Sequence, residues 1–210
     1  MDESAGLAIL AAKLFPLLFN MMGPIGVIPA FAALAAKMSE EERRMMANRA
    51  ALLAFIALAV AVFVGTTMLE SWSISNGSLI LAGGLIVTLT ALQHVFGLHG
   101  GGAAPAKTKS PRELAVSPLA FPTIASPRPI AVLIIFVAAF PTTAGKLTVL
   151  GVAGLIMLLN IWGMRKAHWF MDKVGMTPLL VLGAVFGVLQ VALGVEMMAN
   201  GLQQFSGSGP

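Results

Sequence analysis

Long uncharged apolar runs dominate the chain, and short polar segments separate them. Four runs have about the 20 residues that an α-helix needs to cross the hydrocarbon core of a bilayer. They span residues 50–69, 79–98, 147–164 and 175–195. Two further segments, about 5–36 and 114–139, are as long but contain prolines and one basic residue each, Lys13 and Arg128. The pattern predicts an all-α membrane protein with six transmembrane helices.

Proline-containing motifs interrupt the first and fourth of these segments. The motifs are Gly23-Pro24-Ile25-Gly26-Val27-Ile28-Pro29 and Ser126-Pro127-Arg128-Pro129-Ile130, and Pro127 lies 103 residues after Pro24 (127 − 24). Proline stops a helix and is best tolerated as the first residue of a new one. We therefore expect N-caps at Gly23 and Ser126, with new half-helices at about 24–36 and 127–139.

Composition also indicates a membrane protein. Hydrophobic residues make up 58% of it and charged residues 10%, against roughly 25% charged in soluble domains. The absence of cysteine excludes disulfides and thiolate chemistry. The acidic start, Met1-Asp2-Glu3-Ser4, is unlike the positive start of a cleaved signal peptide, so the first apolar segment is expected to be a retained span.

The distribution of basic residues predicts the orientation. With the N-terminus outside, Lys146 alone falls in the outer loops. The inner loops then hold Lys37, Arg43, Arg44, Arg49, Lys107, Lys109, Arg112, Arg165, Lys166 and Lys173. Because basic residues stay on the cytoplasmic side, both termini are expected outside. This arrangement corresponds to a multi-pass protein of an inner (cell) membrane.

The offset of 103 residues also relates the remaining spans of the two halves. It maps 48–69 onto 151–172 and 79–99 onto 182–202. We therefore predict an N-terminal repeat at 1–102 and a C-terminal repeat at 103–205, with 206–210 as a linker or tag remnant. Three spans per repeat is an odd number, so the second repeat must be inverted, as in many secondary transporters.

The two breaks predict a binding site. In inverted repeats, the positive N-terminal ends of the two half-helices point toward each other near mid-membrane, where a carboxylate is a natural partner. The alternative is that the prolines are packing kinks whose freed backbone groups are satisfied by neighbouring helices. The candidate substrate-binding residues are Asn20, Gly23, Pro24, Ile25, Gly26, Gln93, Thr123, Ser126, Pro127 and Arg128.

Arg128 has two interpretations, because a charge within the bilayer needs a partner or a cavity. In one, Arg128 and Glu196 pair with each other or with water and stabilise the fold. In the other, Arg128 holds a substrate carboxylate, while Glu196 holds an ammonium group or carries a coupling proton. Gly183 and Gly187 are interpreted as a small-residue pair for close helix packing.

Other chemistry is not indicated. His94, His99 and His168 lack the spacing of metal ligands, and no nucleophile elbow or phosphate loop occurs. We expect no enzyme activity, no metal or cofactor and no nucleic-acid partner. The inner basic residues suit anionic lipid headgroups instead.

Several motifs resemble the MarC family of bacterial and archaeal membrane proteins. They are Gly23 to Pro29, Leu81-Ala82-Gly83-Gly84-Leu85 with Ala91-Leu92-Gln93-His94-Val95-Phe96-Gly97, Ser117-Pro118-Leu119-Ala120-Phe121-Pro122 with Ser126-Pro127, and Asn200-Gly201. The likeness covers about residues 5–202. The chain departs from the family at Gly23, where Asn or Asp is usual, at Arg128, where a small residue is usual, and at Glu196, where a neutral side chain is usual.

The resemblance implies a transporter of three plus three inverted spans, some of whose relatives move small neutral amino acids. We therefore expect a secondary transporter for a small substrate that bears a carboxylate and is either an anion or a zwitterion. The alternatives are a passive channel or facilitator and a structural or lipid-handling membrane protein without solute flux. A homo-oligomer is compatible with the sequence.

Overall fold

The structure, a computed structural model, describes residues 3–96 and 110–207, and the regular secondary structure of this part of the chain is all helical. Its helices, in chain order, are α1 (Glu3–Met22), α2 (Pro24–Ala35), α3 (Glu40–Ser71), α4 (Asn76–Val95), α5 (Pro111–Leu114), α6 (Pro127–Ala139), α7 (Thr143–Arg165), α8 (Ala167–Lys173) and α9 (Met176–Gly207). An irregular π-type segment, Ala115–Ile124, joins α5 to α6. The predicted connector around 100–105, with His99, Lys107 and Lys109, lies outside the described residues, as do 208–210.

The all-α membrane prediction is confirmed. Within the described residues, five stretches are long and apolar enough to cross a bilayer. They are Ala5–Ala35, Glu40–Ser71, Asn76–Gln93, Thr143–Arg165 and Val181–Gln204. The pair Pro111–Ile124 and Pro127–Ala139 would form a sixth span. Apolar side chains such as Leu52, Phe63, Leu158 and Val188 are more than half exposed, which suits lipid contact.

Local sequence explains where the helices begin. Ser39 and Glu42 form a capping box at the start of α3: the Ser39 N–H donates to Glu42 Oε2 at 2.8 Å, and the Glu42 N–H donates to Ser39 Oγ at 3.3 Å. Thr142 caps α7 by accepting from the Gly145 N–H at 3.0 Å. These reciprocal bonds satisfy N–H groups that have no partner inside the helix.

Both proline motifs end one helix and begin another, but they bend the chain differently. Gly23 is extended between α1 and α2 (φ −81°, ψ 179°), and residues 5–35 still count as one span of 31 residues. The second break bends the fourth segment by 58°. Ser126 occupies the expected N-cap position of α6, but its hydroxyl makes no capping hydrogen bond. At this break, an additional kink within the π-type segment, with extended backbone at Ser117 and Phe121, contributes to the irregularity.

The spans pack in a reciprocal pattern. The first span, α1 and α2, contacts α7, and the fourth span, including α6 and the π-type segment, contacts α3. Helices α3 and α7 contact each other, and α4 makes its most extensive contacts with α9. We call the end of the bundle with residues 72–75 and 140–142 the terminal end. The end with residues 36–39 and 166–175 is the basic end, where Arg165 Nη2 donates to Asn48 Oδ1 at 2.9 Å.

Glycines allow α4 and α9 to approach closely. A Cβ added at Gly194 would lie 2.8 Å from the Gly84 carbonyl oxygen, and one added at Gly201 would lie 2.9 Å from the Gly77 oxygen. Gly187 faces Val95 at close range, since a Cβ added at Gly187 would lie 2.9 Å from Val95 Cγ2. Among the described residues, nothing lies within 4 Å of a Cβ added at Gly183, so the predicted close packing is seen at Gly187 and not at Gly183.

We predict that Gly194→Ala destabilises the protein by about 1–3 kcal/mol, because the new methyl group overpacks the contact with α4. Thermal unfolding of the purified protein in detergent measures this change. Gly183→Ala on the same helix is the matched control and is expected to be neutral or slightly stabilising. Equal unfolding temperatures for the two variants would contradict the close α4–α9 contact.

Candidate functional site

The break between α1 and α2 leaves a main-chain carbonyl without its helical partner. Pro24 has no N–H, so it cannot donate to the carbonyl of Asn20 four residues earlier. The side chain of Gln190, on α9, donates from Nε2 to this oxygen at 3.3 Å. A buried amide on another helix therefore replaces the missing backbone hydrogen bond.

A second side chain stabilises the same break. Asn160, in the middle of α7 and fully buried, donates from Nδ2 to the carbonyl oxygen of Met22 at 2.7 Å. The Gly23 N–H donates to the Phe19 oxygen at 2.9 Å. A Cβ at position 23 would collide with that same Phe19 oxygen, which explains why glycine stands here. The end of α1 is thus held by contacts with α7 and α9.

Arg128 lies in the first turn of α6, directly after the second break, and is 8% exposed. Its Nη1 donates to Gln190 Oε1 at 2.9 Å. Gln190 is itself 4% exposed. One amide therefore connects the two breaks, accepting from the cation on α6 and donating to the carbonyl at the end of α1. We call Asn20, Arg128 and Gln190 the bridge.

Three buried polar atoms around the bridge have no hydrogen-bond partner among the described residues. They are Asn20 Oδ1, Ser126 Oγ and Asn160 Oδ1. Each belongs to a residue that is at a break or bonded to one. A buried polar group without a partner is costly, at about 1–3 kcal/mol. These atoms are suited to bind water or the polar groups of a ligand.

A cavity of about 490 Å³ opens beside the bridge at the terminal end of the bundle. Leu17 of α1 and Leu193 of α9 are among its walls. Leu17 precedes Asn20 by three residues and Leu193 follows Gln190 by three, so the bridge lies about one helical turn deeper than these walls. The cavity therefore ends about one helical turn from the bridge, none of whose residues lines it.

Glu196 does not pair with Arg128. It is exposed on α9 and accepts a hydrogen bond from Asn200 Nδ2 at 3.4 Å. Six residues separate it from Gln190, which is a rotation of about 240° around the helix, so the two side chains point in different directions. Of the two sequence-based interpretations of Arg128, direct pairing with Glu196 is therefore wrong.

The other predicted site residues are dispersed. Gln93 is exposed near the end of α4, and Thr123 Oγ1 donates to the Pro118 oxygen at 2.8 Å. Pro24 and Ile25 are partly buried, while Gly26 and Pro127 are exposed. Among the described residues, nothing lies within 4 Å of a Cβ added at Gly26. Within 3–96 and 110–207, no cluster of His, Asp or Glu has the geometry of a metal site.

Gln190 is the site residue that sequence reasoning missed. Two signals point to it in retrospect. It is an isolated amide within the apolar run 175–195. It also has helical spacing with Gly187 and Gly194, which contact α4, so it belongs to the inward-facing side of α9.

Membrane-length helices around a buried polar network define a multi-pass helical membrane protein. The model of the MarC family, described as MarC family integral membrane protein, matches residues 9–206. The chain belongs to this family, which confirms the resemblance of its motifs.

Relatives of similar length occur in bacteria and archaea. Membrane protein YhcE of Escherichia coli (strain K12) is 29% identical, over 91% of this chain and 91% of its own. Membrane protein YvbG of Bacillus subtilis (strain 168) is 29% identical, over 89% and 90%. A membrane protein of Methanocaldococcus jannaschii is 24% identical, over 90% and 94%. No solved structure matches the chain.

We predict that Asn160→Leu destabilises the protein by about 1–3 kcal/mol, because the buried Met22 carbonyl loses its side-chain donor. The measurement is thermal unfolding in detergent. Asn200→Leu, an exposed position near the end of α9, is the control and should change the unfolding temperature little. A stable Asn160→Leu variant would show that another group satisfies the end of α1.

Proposed function

We propose that the protein is a secondary transporter of small metabolites, most consistent with small neutral amino acids, rather than an enzyme. The observation that carries the proposal is the bridge, in which buried Gln190 links the two helix breaks. Irregular backbone at membrane depth is tolerated where it is buried in protein or lines a cavity. Discontinuous helices of this kind form the substrate sites of many secondary transporters.

The packing supports an inverted repeat with boundaries at 1–102 and 103–205. Exchanging the halves turns the contact of the first span with α7 into the contact of the fourth span with α3. The same exchange turns the α3–α7 contact and the α4–α9 contact into themselves, because each joins corresponding helices of the two halves. Alternating access would then be a rearrangement of the two halves around the breaks.

The electrostatics favour an anionic group on the substrate. Arg128 contributes a buried cation, whose Nη1 donates a hydrogen bond to the neutral amide of Gln190. The starts of α2 and α6 add the positive ends of two helix dipoles. On the other side of the bridge, the Asn20 oxygens offer acceptors for an ammonium group. A small zwitterion matches both sides.

The basic end of the bundle supports a cytoplasmic orientation. The basic residues that lie there are Arg43, Arg44, Arg49, Arg165 and Lys166. Lys146 lies in the first turn of α7, at the terminal end. By the positive-inside rule, the terminal end and both termini would face outward across a bacterial inner membrane. The cavity beside the bridge would then open outward.

The test is uptake of labelled glycine and alanine into liposomes that contain the purified protein. We expect saturable uptake that responds to an imposed ion or proton gradient, with Arg128→Ala lowering it roughly 10–100-fold, because hydrogen bonds to a charged group contribute about 1.5–3 kcal/mol. Arg112→Ala at the exposed basic end is the matched control.

Other outcomes separate the alternatives. Flux without gradient coupling would favour a channel or facilitator, and lipid scrambling without solute flux would favour a lipid-handling protein. A loss of folding in Arg128→Ala with normal flux in the remaining folded protein would contradict a substrate-binding role for Arg128.

Glu196 is the proposed coupling residue, because it directly follows the sixth apolar run and is exposed to accept a proton. We predict that Glu196→Gln flattens the dependence of flux on pH, measured in the same liposomes. Glu70→Gln, another exposed carboxylate on the terminal side, is the control. An unchanged pH profile in Glu196→Gln would exclude this role.

A further inference from the structure

The Gln190 amide has an unusual pair of partners. Its oxygen accepts from the Arg128 guanidinium at 2.9 Å, and its nitrogen donates to the Asn20 carbonyl at 3.3 Å. An α-amino acid presents the same two functions on adjacent carbons, an anionic oxygen and an N–H donor. The Gln190 amide therefore places an acceptor at Arg128 and a donor at Asn20, as a bound zwitterion would.

We propose that Gln190 is an internal stand-in for the substrate. A small α-amino acid displaces it, placing its carboxylate on Arg128 and its ammonium group on the oxygens of Asn20. Gln190 then acts as a specificity-determining residue that competes with weak ligands. The inference rests on the proposed function, whose substrate class and binding orientation it specifies.

The exchange is favourable on both sides of the bridge. A carboxylate forms stronger, charge-assisted hydrogen bonds with a guanidinium than an amide oxygen does, and it can accept two at once. On the other side, an ammonium group has three donors for the Asn20 carbonyl and for Asn20 Oδ1, which is buried without a partner. Ser126 Oγ, two residues before Arg128 and also without a partner, is a further group for the carboxylate.

Burial explains why the ligand should be small. Arg128 and Gln190 are each less than a tenth exposed, and one amide spans the distance between Arg128 and Asn20. The approach is through the cavity, whose wall includes Leu193, one turn from Gln190. A ligand that carries only one of the two functions would replace the contacts of Gln190 on one side of the bridge alone.

Two substitutions of Gln190 give opposite expectations. Gln190→Ala removes the competitor, so the Kd for labelled glycine should fall about tenfold if the bridge is open roughly a tenth of the time. Gln190→Glu places a carboxylate on Arg128, so glycine binding should weaken more than about tenfold while the protein stays folded. Equilibrium binding to the purified protein in detergent measures both, and thermal unfolding verifies folding.

Thr177→Ala, an exposed position near the start of the same helix and outside the cavity lining, is the control and should bind as the unmodified protein does. Competition with acetate and with glycinamide, which each carry one of the two functions, should be at least about tenfold weaker than with unlabelled glycine. Equally good competition by either would contradict replacement on both sides.

The outcomes distinguish this inference from the proposed function. An unchanged or raised Kd in Gln190→Ala, or normal binding in Gln190→Glu, with glycine bound by the unmodified protein, overturns the inference alone. A failure of glycine and alanine to bind both the unmodified protein and Gln190→Ala overturns the proposed substrate class and the inference together.

Discussion

The packing of the two helix breaks depends on one main-chain carbonyl, that of Asn20, which has no partner within its own helix. A bilayer offers no water to a backbone oxygen, and Pro24 removes the N–H that would have paired with the Asn20 oxygen. Gln190 provides the replacement from a helix 170 residues away along the chain. The same amide also accepts a hydrogen bond from Arg128, so Gln190 connects α1, α6 and α9.

The contact between α4 and α9 makes this replacement possible. Gly194 and Gly201 let the two backbones approach until an added Cβ would clash, so the rotation of α9 about its axis is constrained. Side chains in protein interiors are packed closely, and a rotated α9 would lose these contacts. With this rotation, Gln190 points between the breaks and Glu196 points away from them.

The two breaks are chemically unequal although they occupy corresponding positions in the sequence. The first presents carbonyl oxygens, which Asn160 and Gln190 partly satisfy. The second presents a cation and a buried hydroxyl, from Arg128 and Ser126. This pairing of an acceptor side with a donor side motivates our proposal of a zwitterionic substrate.

The sequence by itself determined the membrane class and the all-helical architecture with five to six apolar spans, because hydropathy acts locally along the chain. It also singled out Asn20 and Arg128, since polar residues in apolar runs are conspicuous. Only the tertiary structure decided their partners. Which face of α9 is buried follows from glycine contacts with a distant helix, so Gln190 joined the site and Glu196 did not.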